Sequence, residues 1–529
     1  MSRSDNKSIG FSEPNKFGWK DLVVEQGQQH LNVSPEGKVL TVLGHLSDLH
    51  VCDPESPSRL QYLDRLSDPD SEWKEKVGHM GTYRAQEILT TQVLTAMVDS
   101  INEVKNGPLT NFPLEAVVVT GDMTDNAQLN ETQWYITALN GGMVNPVSGD
   151  KNKSEWVGSH NVKYDEFYWH PDGPPTGEEL DRPISKFGFP IIKGLIEKAR
   201  SSFKSSGLNV PWFATFGNHD LLLQGTVAAN QELSNFSIGG TRIVSLPHEF
   251  KNPELVTPSV SEIGPVEYPD FTDFPKTQIT ADDLRAFNSP GTFANSHLNS
   301  GGKPSGHGFT QENVENNTAY WCHDLKNVRL ISLDTVNPHG GWQGSIDENQ
   351  LIWLREKLIE AKDKYCVLLS HHPSPTLIND FSPNGHPRRI IRDELLQELY
   401  QHKNLIVWIA GHVHRHASGM HTREDGSTFL EFTTASHIDW PQQSRVIEIV
   451  KEKNGIAIAS TVIDHAGHVD WQNKDLDYLS MAGISRSLAL NDWQIREEGT
   501  IQVRQGNKED RNVVWRVSDP FSSRDVSGR

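Results

Sequence analysis

The sequence of residues 115–122 is EAVVVTGD, a short apolar run that ends at a glycine and an aspartate. A continuous apolar run of this length is typical of a buried strand. It follows residues 85–105, whose apolar side chains recur at helical spacing up to Asn106-Gly107, a C-terminal stop signal. The apolar run 39–43 precedes that helix. The order strand, helix, strand predicts a βαβ unit and therefore an α/β fold.

Polar patches follow this strand and four similar apolar runs. The other runs are 39–43, 211–216, 365–369 and 405–409. The five patches are Asp48-Leu49-His50, Gly121-Asp122, Gly217-Asn218-His219-Asp220, Ser370-His371-His372-Pro373 and Gly411-His412-Val413-His414. Because ligands of open α/β sheets bind beyond the carboxyl ends of the strands, we expect the patches to share one site.

Between the patches the sequence predicts further regular elements and two irregular inserts. Helices are predicted at 190–205, 347–362 and 390–402, and strands within 319–333 and at 428–433, 445–450 and 455–463. A long structureless loop is unusual in a compact domain, so inserted cap segments are predicted at about 126–185 and 225–315. The main domain, 39–465, is expected to carry an N-terminal extension, 1–38, and a polar C-terminal tail, 466–529, disordered over its last ten or so residues.

The composition disfavours several other classes of protein. A formal net charge of −20 argues against a nucleic-acid or anionic-membrane surface, because its field would repel phosphates. Three cysteines cannot form a disulfide framework and indicate a reducing compartment. No apolar signal region or membrane-spanning stretch is present. We therefore expect a cytoplasmic protein without a membrane partner, in which any phosphate pocket carries its own positive charge.

The patches offer enough donor atoms for two adjacent metal ions. One residue separates Asp48 from His50 and His412 from His414, so in extended backbone each pair would point to one side. Asp122 follows a glycine, which lets the backbone turn sharply, and its two carboxylate oxygens can bridge two cations.

Two such ions, on the order of 3.5–4 Å apart, can clamp a phosphoryl group and depress the pKa of a bridging water. The resulting hydroxide attacks phosphorus in line, and the leaving oxygen then needs a proton unless it departs readily. His219, next to the carbonyl donor Asn218, is the candidate acid. Asp220 is expected to fix the tautomer of this imidazole and to raise its pKa.

The complete series of motifs resembles that of the calcineurin-like metallophosphoesterase superfamily. The similarity extends over roughly residues 40–465 apart from the inserts, with all five motifs in order. It implies a four-layer αββα sandwich of two mixed sheets and a dinuclear site. It further implies one metal ion held by Asp48, His50, Asp122 and His414, a second held by Asp122, Asn218, His371 and His412, and His219 as the acid facing the substrate.

One position differs from a branch of that superfamily. In purple acid phosphatases a tyrosine follows the Gly-Asp motif and ligates ferric iron, whereas this chain has Asp125 at that position. A tyrosinate-iron centre is therefore not expected. Imidazole and carboxylate donors suit Mn, Fe(II) or Zn, and the sequence does not choose among these divalent ions.

Four other residues are expected to support the site, to contact phosphate or to pack in the core. The side chain of His372 should point away from that of His371 by strand parity, which indicates a supporting or core residue. Arg84 and Asn126 are candidate phosphate contacts. Cys52 is expected to be a buried residue that packs in the core.

The leading functional hypothesis is a dinuclear phosphoesterase that hydrolyses a small soluble phosphodiester, with cyclic nucleotides among the candidates. The inserts favour a diester, since they could enclose a second substituent that a monoesterase pocket need not accept. A phosphomonoesterase is the alternative on the same site. A catalytically silent protein-binding scaffold is the alternative from another class. The acidic charge disfavours nucleic-acid processing, and the oligomeric state is left open.

Overall fold

The computed structural model describes residues 7–27, 35–247, 263–264, 272–496 and 501–522. The strands are β1 Lys7–Phe11, β2 Leu22–Gln26, β3 Lys38–Leu46, β4 Ala116–Thr120, β5 Gly142–Val144, β6 Phe203–Ser205, β7 Trp212–Thr215, β8 Thr241–Ile243, β9 Lys276–Gln278, β10 Trp321–Asp324, β11 Val328–Ser332, β12 Ile346–Asp347, β13 Tyr365–Leu369, β14 Arg389–Ile390, β15 Leu405–Ala410, β16 Ala417–Thr422, β17 Thr428–Thr433, β18 Gln443–Glu452, β19 Gly455–Asp464 and β20 Val513–Val517. The helices are α1 Lys74–Val77, α2 Thr90–Val104, α3 Leu129–Asn140, α4 Arg182–Phe187, α5 Leu195–Arg200, α6 Gln231–Ile238, α7 Pro290–Leu298, α8 Gln311–Asn316, α9 Glu348–Glu360, α10 Arg392–Tyr400, α11 Tyr478–Leu490, α12 Trp493–Arg496 and α13 Ile501–Gln505. The predicted disorder at the C-terminus falls mainly on 523–529, outside the described residues.

Two six-stranded mixed sheets form the framework. The first has the order β20-β19-β18-β3-β4-β7, and the second has the order β10-β11-β13-β15-β17-β16. Neighbouring strands run parallel from β3 through β4 to β7, and from β11 through β13 and β15 to β17. The predicted α/β class with two mixed sheets is confirmed. Five of these parallel strands lead into the five polar patches.

The predicted βαβ unit is formed by β3, α2 and β4. β3 and β4 pair in parallel, with Leu43 opposite Ala116. All five residues of β4 are buried, which explains why its sequence lacks the alternation of a half-exposed strand. α2 buries Leu94, Met97 and Ile101, the helically spaced side chains seen in the sequence.

The two sheets share one hydrophobic cluster, which includes Val117 and Phe213 from the first sheet and Val367 and Ile409 from the second. A hydrogen bond also joins them, since the indole N–H of Trp321 donates to the Ala214 carbonyl at 2.8 Å. Among the described residues, no helix is both long and apolar enough to cross a membrane.

The first predicted insert begins with core structure rather than with irregular chain. α3 lies inside it and places Trp134, Tyr135 and Leu139 in the shared cluster. Polar residues are interspersed among these positions, so the helical periodicity of the sequence is weak. α7 similarly brings Phe293 from the second insert into the same cluster.

The structure also differs from the sequence-based description in two other segments. The helix predicted at 190–205 is shortened to α5, and β6 follows it. The segment 466–529, described from the sequence as a polar tail, contains regular structure, since β20 pairs with β19 and α11 is buried beyond its first two residues. Ala482 of α11 packs against Val93 and Ala96 of α2. Small residues let the two helices approach closely, and such residues give little signal in a search for apolar runs.

Candidate metal centre

The predicted site residues all lie just beyond the carboxyl ends of parallel strands. Asp48 and His50 follow β3, Asp122 follows β4, and Asn218 begins a short 3₁₀ helix after β7. His371 follows β13, and His412 and His414 follow β15. The first three strands belong to one sheet and the last two to the other. The site therefore lies where the two sheets meet.

The side chains converge into two overlapping groups. The ligand atoms of Asp48, His50 and His414 lie within 4.8 Å of one another, as do those of Asp48, Asp122 and His371. Oδ2 of Asp122 is 3.1 Å from Nε2 of His371 and 3.7 Å from Nε2 of His50. One carboxylate thus faces imidazoles from both halves of the site.

His412 completes the second half of this arrangement. Its Nδ1 is 3.2 Å from Nε2 of His371, and its backbone N–H donates to the Asp48 carboxylate at 3.0 Å. The neighbouring His372 also lies close, but its two ring nitrogens bond to Thr335 and to the Trp342 carbonyl. His372 is therefore a supporting residue, as the sequence predicted.

The backbone of the site is strained rather than extended. Asp48, His50, Asp122, His412 and His414 all have positive φ, between 44° and 69°. The parity argument was therefore wrong about the backbone, although the side chains do converge. Non-glycine residues adopt this conformation at a cost of roughly 1–3 kcal/mol each, and such strain clusters at functional sites.

A second layer of hydrogen bonds orients three of the imidazoles. Nδ1 of His50 bonds to Asp125 at 2.8 Å, and Nδ1 of His414 bonds to Asp439 at 2.7 Å. Nδ1 of His371 donates to the Thr120 carbonyl at 2.8 Å. With Nδ1 engaged, Nε2 of each ring is left facing the centre of the site, the arrangement that metal-ligating histidines use.

Three arginines support the two carboxylates of this second layer. Arg59 pairs with Asp125, whereas Arg84 and Arg504 both pair with Asp439. Burial opposes ionisation, but Arg59 holds the pKa of Asp125 well below its usual range. Arg504 and Arg84 do the same for the pKa of Asp439. Both carboxylates are therefore ionised acceptors for their histidines.

The electrostatics of the histidines and an unpaired amide oxygen also suit the binding of divalent cations. Burial lowers the pKa of His371, yet the Asp122 and Asp48 carboxylates more than offset this and raise it to about 9. The pKa of His414 is likewise raised to about 9 against burial, chiefly by Asp48. The carboxylates thus favour positive charge on these two histidines. Binding a cation would release the protons from their rings.

The side-chain oxygen of Asn218 is a further donor suited to a cation. Its Oδ1 is buried and has no hydrogen-bond partner among the described residues, while its Nδ2 donates to the Gly225 carbonyl at 2.9 Å. An unsatisfied buried oxygen costs about 1–3 kcal/mol, and a cation at this point would remove that cost. The mixed set of carboxylate, imidazole and amide donors therefore fits two divalent ions such as Mn, Fe(II) or Zn.

His219 lies beside this cluster, but its support differs from the prediction. Its Nδ1 donates to the Asp125 carbonyl at 2.8 Å, and its ring centroid is 4.6 Å from that of His50. Burial lowers the pKa of His219 to about 4. Asp220 bonds instead to the backbone N–H groups of Met123, Thr124 and Gly217. The expectation that Asp220 fixes the imidazole and raises its pKa is thus wrong.

Several residues around the site were not identified from the sequence or have another role than the one predicted. Arg84, a candidate phosphate contact, is engaged by Asp439. Asn126, the other candidate, donates to Glu131 and accepts from Gln224. Asp439 and Arg504 were missed because neither lies in a motif. Asp125 stands three residues after Asp122, and its position in the Gly-Asp motif was the one available signal. Cys52 is buried, as predicted.

Comparisons with known proteins found three similarities. A family model described as Calcineurin-like phosphoesterase matches residues 192–416. A probable glycerophosphodiester phosphodiesterase GpdQ of Arcobacter nitrofigilis is 32% identical over 88 residues, which are 17% of this chain and 32% of that protein. A dimetal phosphatase structure from Danio rerio aligns with 81% of this chain and 99% of its own, at 12% identity and a TM-score of 0.33.

The matched segment contains Asn218, His371, His412 and His414. The fold adds Asp48, His50 and Asp122 from the preceding strands to the same site. The motif series and the convergence of its residues agree with this match, and residues 192–416 are similar to a calcineurin-like phosphoesterase domain.

Proposed function

We propose that this protein is a dinuclear metal-dependent phosphoesterase that hydrolyses a small phosphodiester. The observation that carries the proposal is the pair of overlapping donor groups that share Asp48, with Asp122 between His50 and His371. When bound, two divalent ions would supply positive charge for the phosphoryl oxygens and lower the pKa of a water molecule.

The ligand sets follow from the two halves of the site. Asp48, His50 and His414 would hold one ion, and Asn218, His371 and His412 would hold the other. Asp122 would contribute to both. Asp125 and Asp439 keep the ligating rings oriented through Nδ1, so that little reorganisation is needed when substrate binds.

His219 is the proposed donor of a proton to the leaving oxygen. Because the Asp125 carbonyl can only accept, Nδ1 of His219 carries a hydrogen, and Nε2 is the atom available for the transfer. In its protonated form the ring can donate from Nε2 while it keeps the bond to Asp125. Asp220 supports the backbone around this residue rather than the ring itself.

Two features favour a diester over a monoester. The similarity to a probable glycerophosphodiester phosphodiesterase, although limited to a third of that protein, concerns a diester substrate. Thr226 of the second insert also accepts a hydrogen bond from Gly341, and the ring of the adjacent Trp342 stacks on that of His412 at 5.7 Å between centroids, so part of the insert lies beside the site. A cyclic nucleotide or a glycerol diester would each present one phosphodiester with an alkoxide leaving group.

Metal analysis of the purified protein, followed by assays on bis(p-nitrophenyl) phosphate and p-nitrophenyl phosphate, tests the proposal. We expect two divalent ions per chain and a higher kcat/KM for the diester. A higher value for the monoester would favour a phosphomonoesterase. A protein with no metal and no activity on either ester would instead be a silent scaffold.

A further inference from the structure

A tight turn at residues 222–227 lies directly against Asn218 and His219. Its central residues, Gln224 and Gly225, have φ values of 49° and 66°, and the Thr226 N–H donates to the Leu223 carbonyl at 3.1 Å. Two successive positive φ values are the requirement of a type I′ turn, which favours glycine. The conformation alone therefore restricts the choice of residue at position 225.

Gly225 also orients Asn218. Its carbonyl accepts a hydrogen bond from Nδ2 of Asn218 at 2.9 Å, which fixes which end of the amide is nitrogen. Oδ1 of Asn218 consequently points elsewhere, and it is the buried oxygen without a partner among the described residues. The turn thus sets the direction of the proposed ligand atom.

The absent side chain of Gly225 leaves room for the imidazole of His219. A Cβ atom at this position would lie 2.3 Å from Cδ2 and 2.4 Å from Nε2 of His219, and 2.5 Å from Nδ2 of Asn218. Real Cβ contacts below 3.0 Å are essentially never seen. The opposite side of the ring is bonded to the Asp125 carbonyl, so the ring cannot withdraw without losing that bond.

The turn itself is anchored and cannot easily retreat. Gln224 donates to Asn126 at 2.6 Å and accepts from Arg59 at 3.3 Å. The Thr226 carbonyl accepts from the Gly341 N–H at 2.8 Å. Gly225 is therefore held at a fixed position against both site residues.

We propose that Gly225 is a positioning residue that aligns the amide of Asn218 and the imidazole of His219. This inference rests on the proposed function, in which those groups bind a metal ion and transfer a proton. It assigns the start of the second insert a direct part in building the site, in addition to any part in enclosing substrate.

The variant Gly225→Ala tests the proposal, with Gly426→Ala as the matched control. Gly426 also has a positive φ, 81°, but a Cβ there would meet nothing within 4 Å, so it reports backbone strain alone. We expect Gly225→Ala to lower kcat about 100-fold with little change in KM, since small misplacements of catalytic groups have effects of this size. Its Mn²⁺ affinity, measured by chelator competition, should fall about 10- to 100-fold at one of the two sites. Gly426→Ala should change neither value.

A double variant keeps the test decisive if Gly225→Ala folds poorly. Replacing His219 by alanine removes the ring atoms that the new methyl group would meet. Gly225→Ala should then cost much less activity in the His219→Ala background than in the wild type, as expected for residues in contact. Equal losses in both backgrounds, or normal kcat and Mn²⁺ affinity in Gly225→Ala, would overturn the inference. A wild-type protein that binds no metal would instead refute the proposed function.

Discussion

Asp122 carries a single carboxylate that faces imidazoles on both sides of the centre, at 3.1 Å from His371 and 3.7 Å from His50. Replacing it by alanine should remove both metal ions and abolish turnover. The fold should survive, because the core is built from apolar strands elsewhere. Metal content and circular dichroism of Asp122→Ala would check this.

Two comparisons sharpen that prediction. Asn218→Ala should weaken one ion preferentially, since Asn218 belongs to one half of the site. Asp393→Ala should behave as the wild type, because Asp393 is 74% exposed and is not a member of the donor groups. Two retained ions and a near-normal rate in Asp122→Ala would contradict the assigned ligand sets.

His219 leads to a prediction about leaving groups. His219→Ala should keep both ions but lose rate by about 10²–10⁴-fold on a substrate with an alkoxide leaving group, which needs a proton. The loss should shrink with p-nitrophenolate, which departs readily as an anion. Steady-state kinetics on an alkyl and a p-nitrophenyl diester would compare the two. A uniform loss would indicate charge stabilisation rather than proton donation.

At the scale of single residues, the sequence identified which side chains converge on the site. It did not predict the backbone conformation or the supporting contacts that hold them there. Motif order at strand ends was sufficient to place Asp48, Asp122 and His371 together, because parallel strands deliver their ends to one edge. It could not reveal the positive φ values, which are set by the surrounding loops. It also could not reveal Asp439 or Arg504, whose proximity to His414 depends on tertiary contacts across the chain.

At the scale of elements, β20 shows that the C-terminal segment belongs to the fold. Val514 of β20 is buried in a small cluster with Val450, Ala457 and Ala459. Val514→Ala should lower the free energy of unfolding by about 2 kcal/mol, through lost burial and the cavity left behind. Val503 of α13, which is 54% exposed, offers a control in the same segment.

The expected change for Val503→Ala is within about 0.5 kcal/mol. Urea denaturation of both variants would measure the difference. Equal stabilities would mean that β20 contributes little to the sheet.

The elements that the sequence predicted well are those with a single dominant signal. β4, β13 and β15 are continuous apolar runs, and α9 begins and ends close to its predicted bounds. α3 and α11 escaped detection because their buried faces include polar or small residues. Their burial is decided by partners distant in sequence, and local periodicity carries no information about such partners.

At the scale of the whole molecule, the proposed ions would join the two sheets. The proposed ligands follow β3, β4 and β7 of one sheet and β13 and β15 of the other. A ligand present at 100 times its Kd stabilises the native state by about 2.7 kcal/mol per site. For a chain of this size two such sites should raise Tm by about 5 °C.

Thermal melts with excess chelator and after Mn²⁺ is restored would measure this shift. We expect the loss of Tm on chelation to be reversed by the added ion. Asp122→Ala should melt at the same temperature in both conditions, which separates the effect of the site from general effects of the ion. An equal response to Mn²⁺ in that variant would contradict the prediction.

The positive φ values of Asp48, His50, Asp122, His412 and His414 also bear on how this protein would respond to selection. Glycine adopts that backbone conformation without the strain, so replacements there relieve part of a cost of roughly 1–3 kcal/mol per position. In a medium without divalent metal, where no bound ion offsets this strain, a screen for heat resistance alone would therefore be expected to enrich glycine at these proposed ligand positions and to yield sturdier but inactive proteins. The stability of the metal-free protein and its activity are thus opposed at these residues, and engineering for robustness should hold them constant.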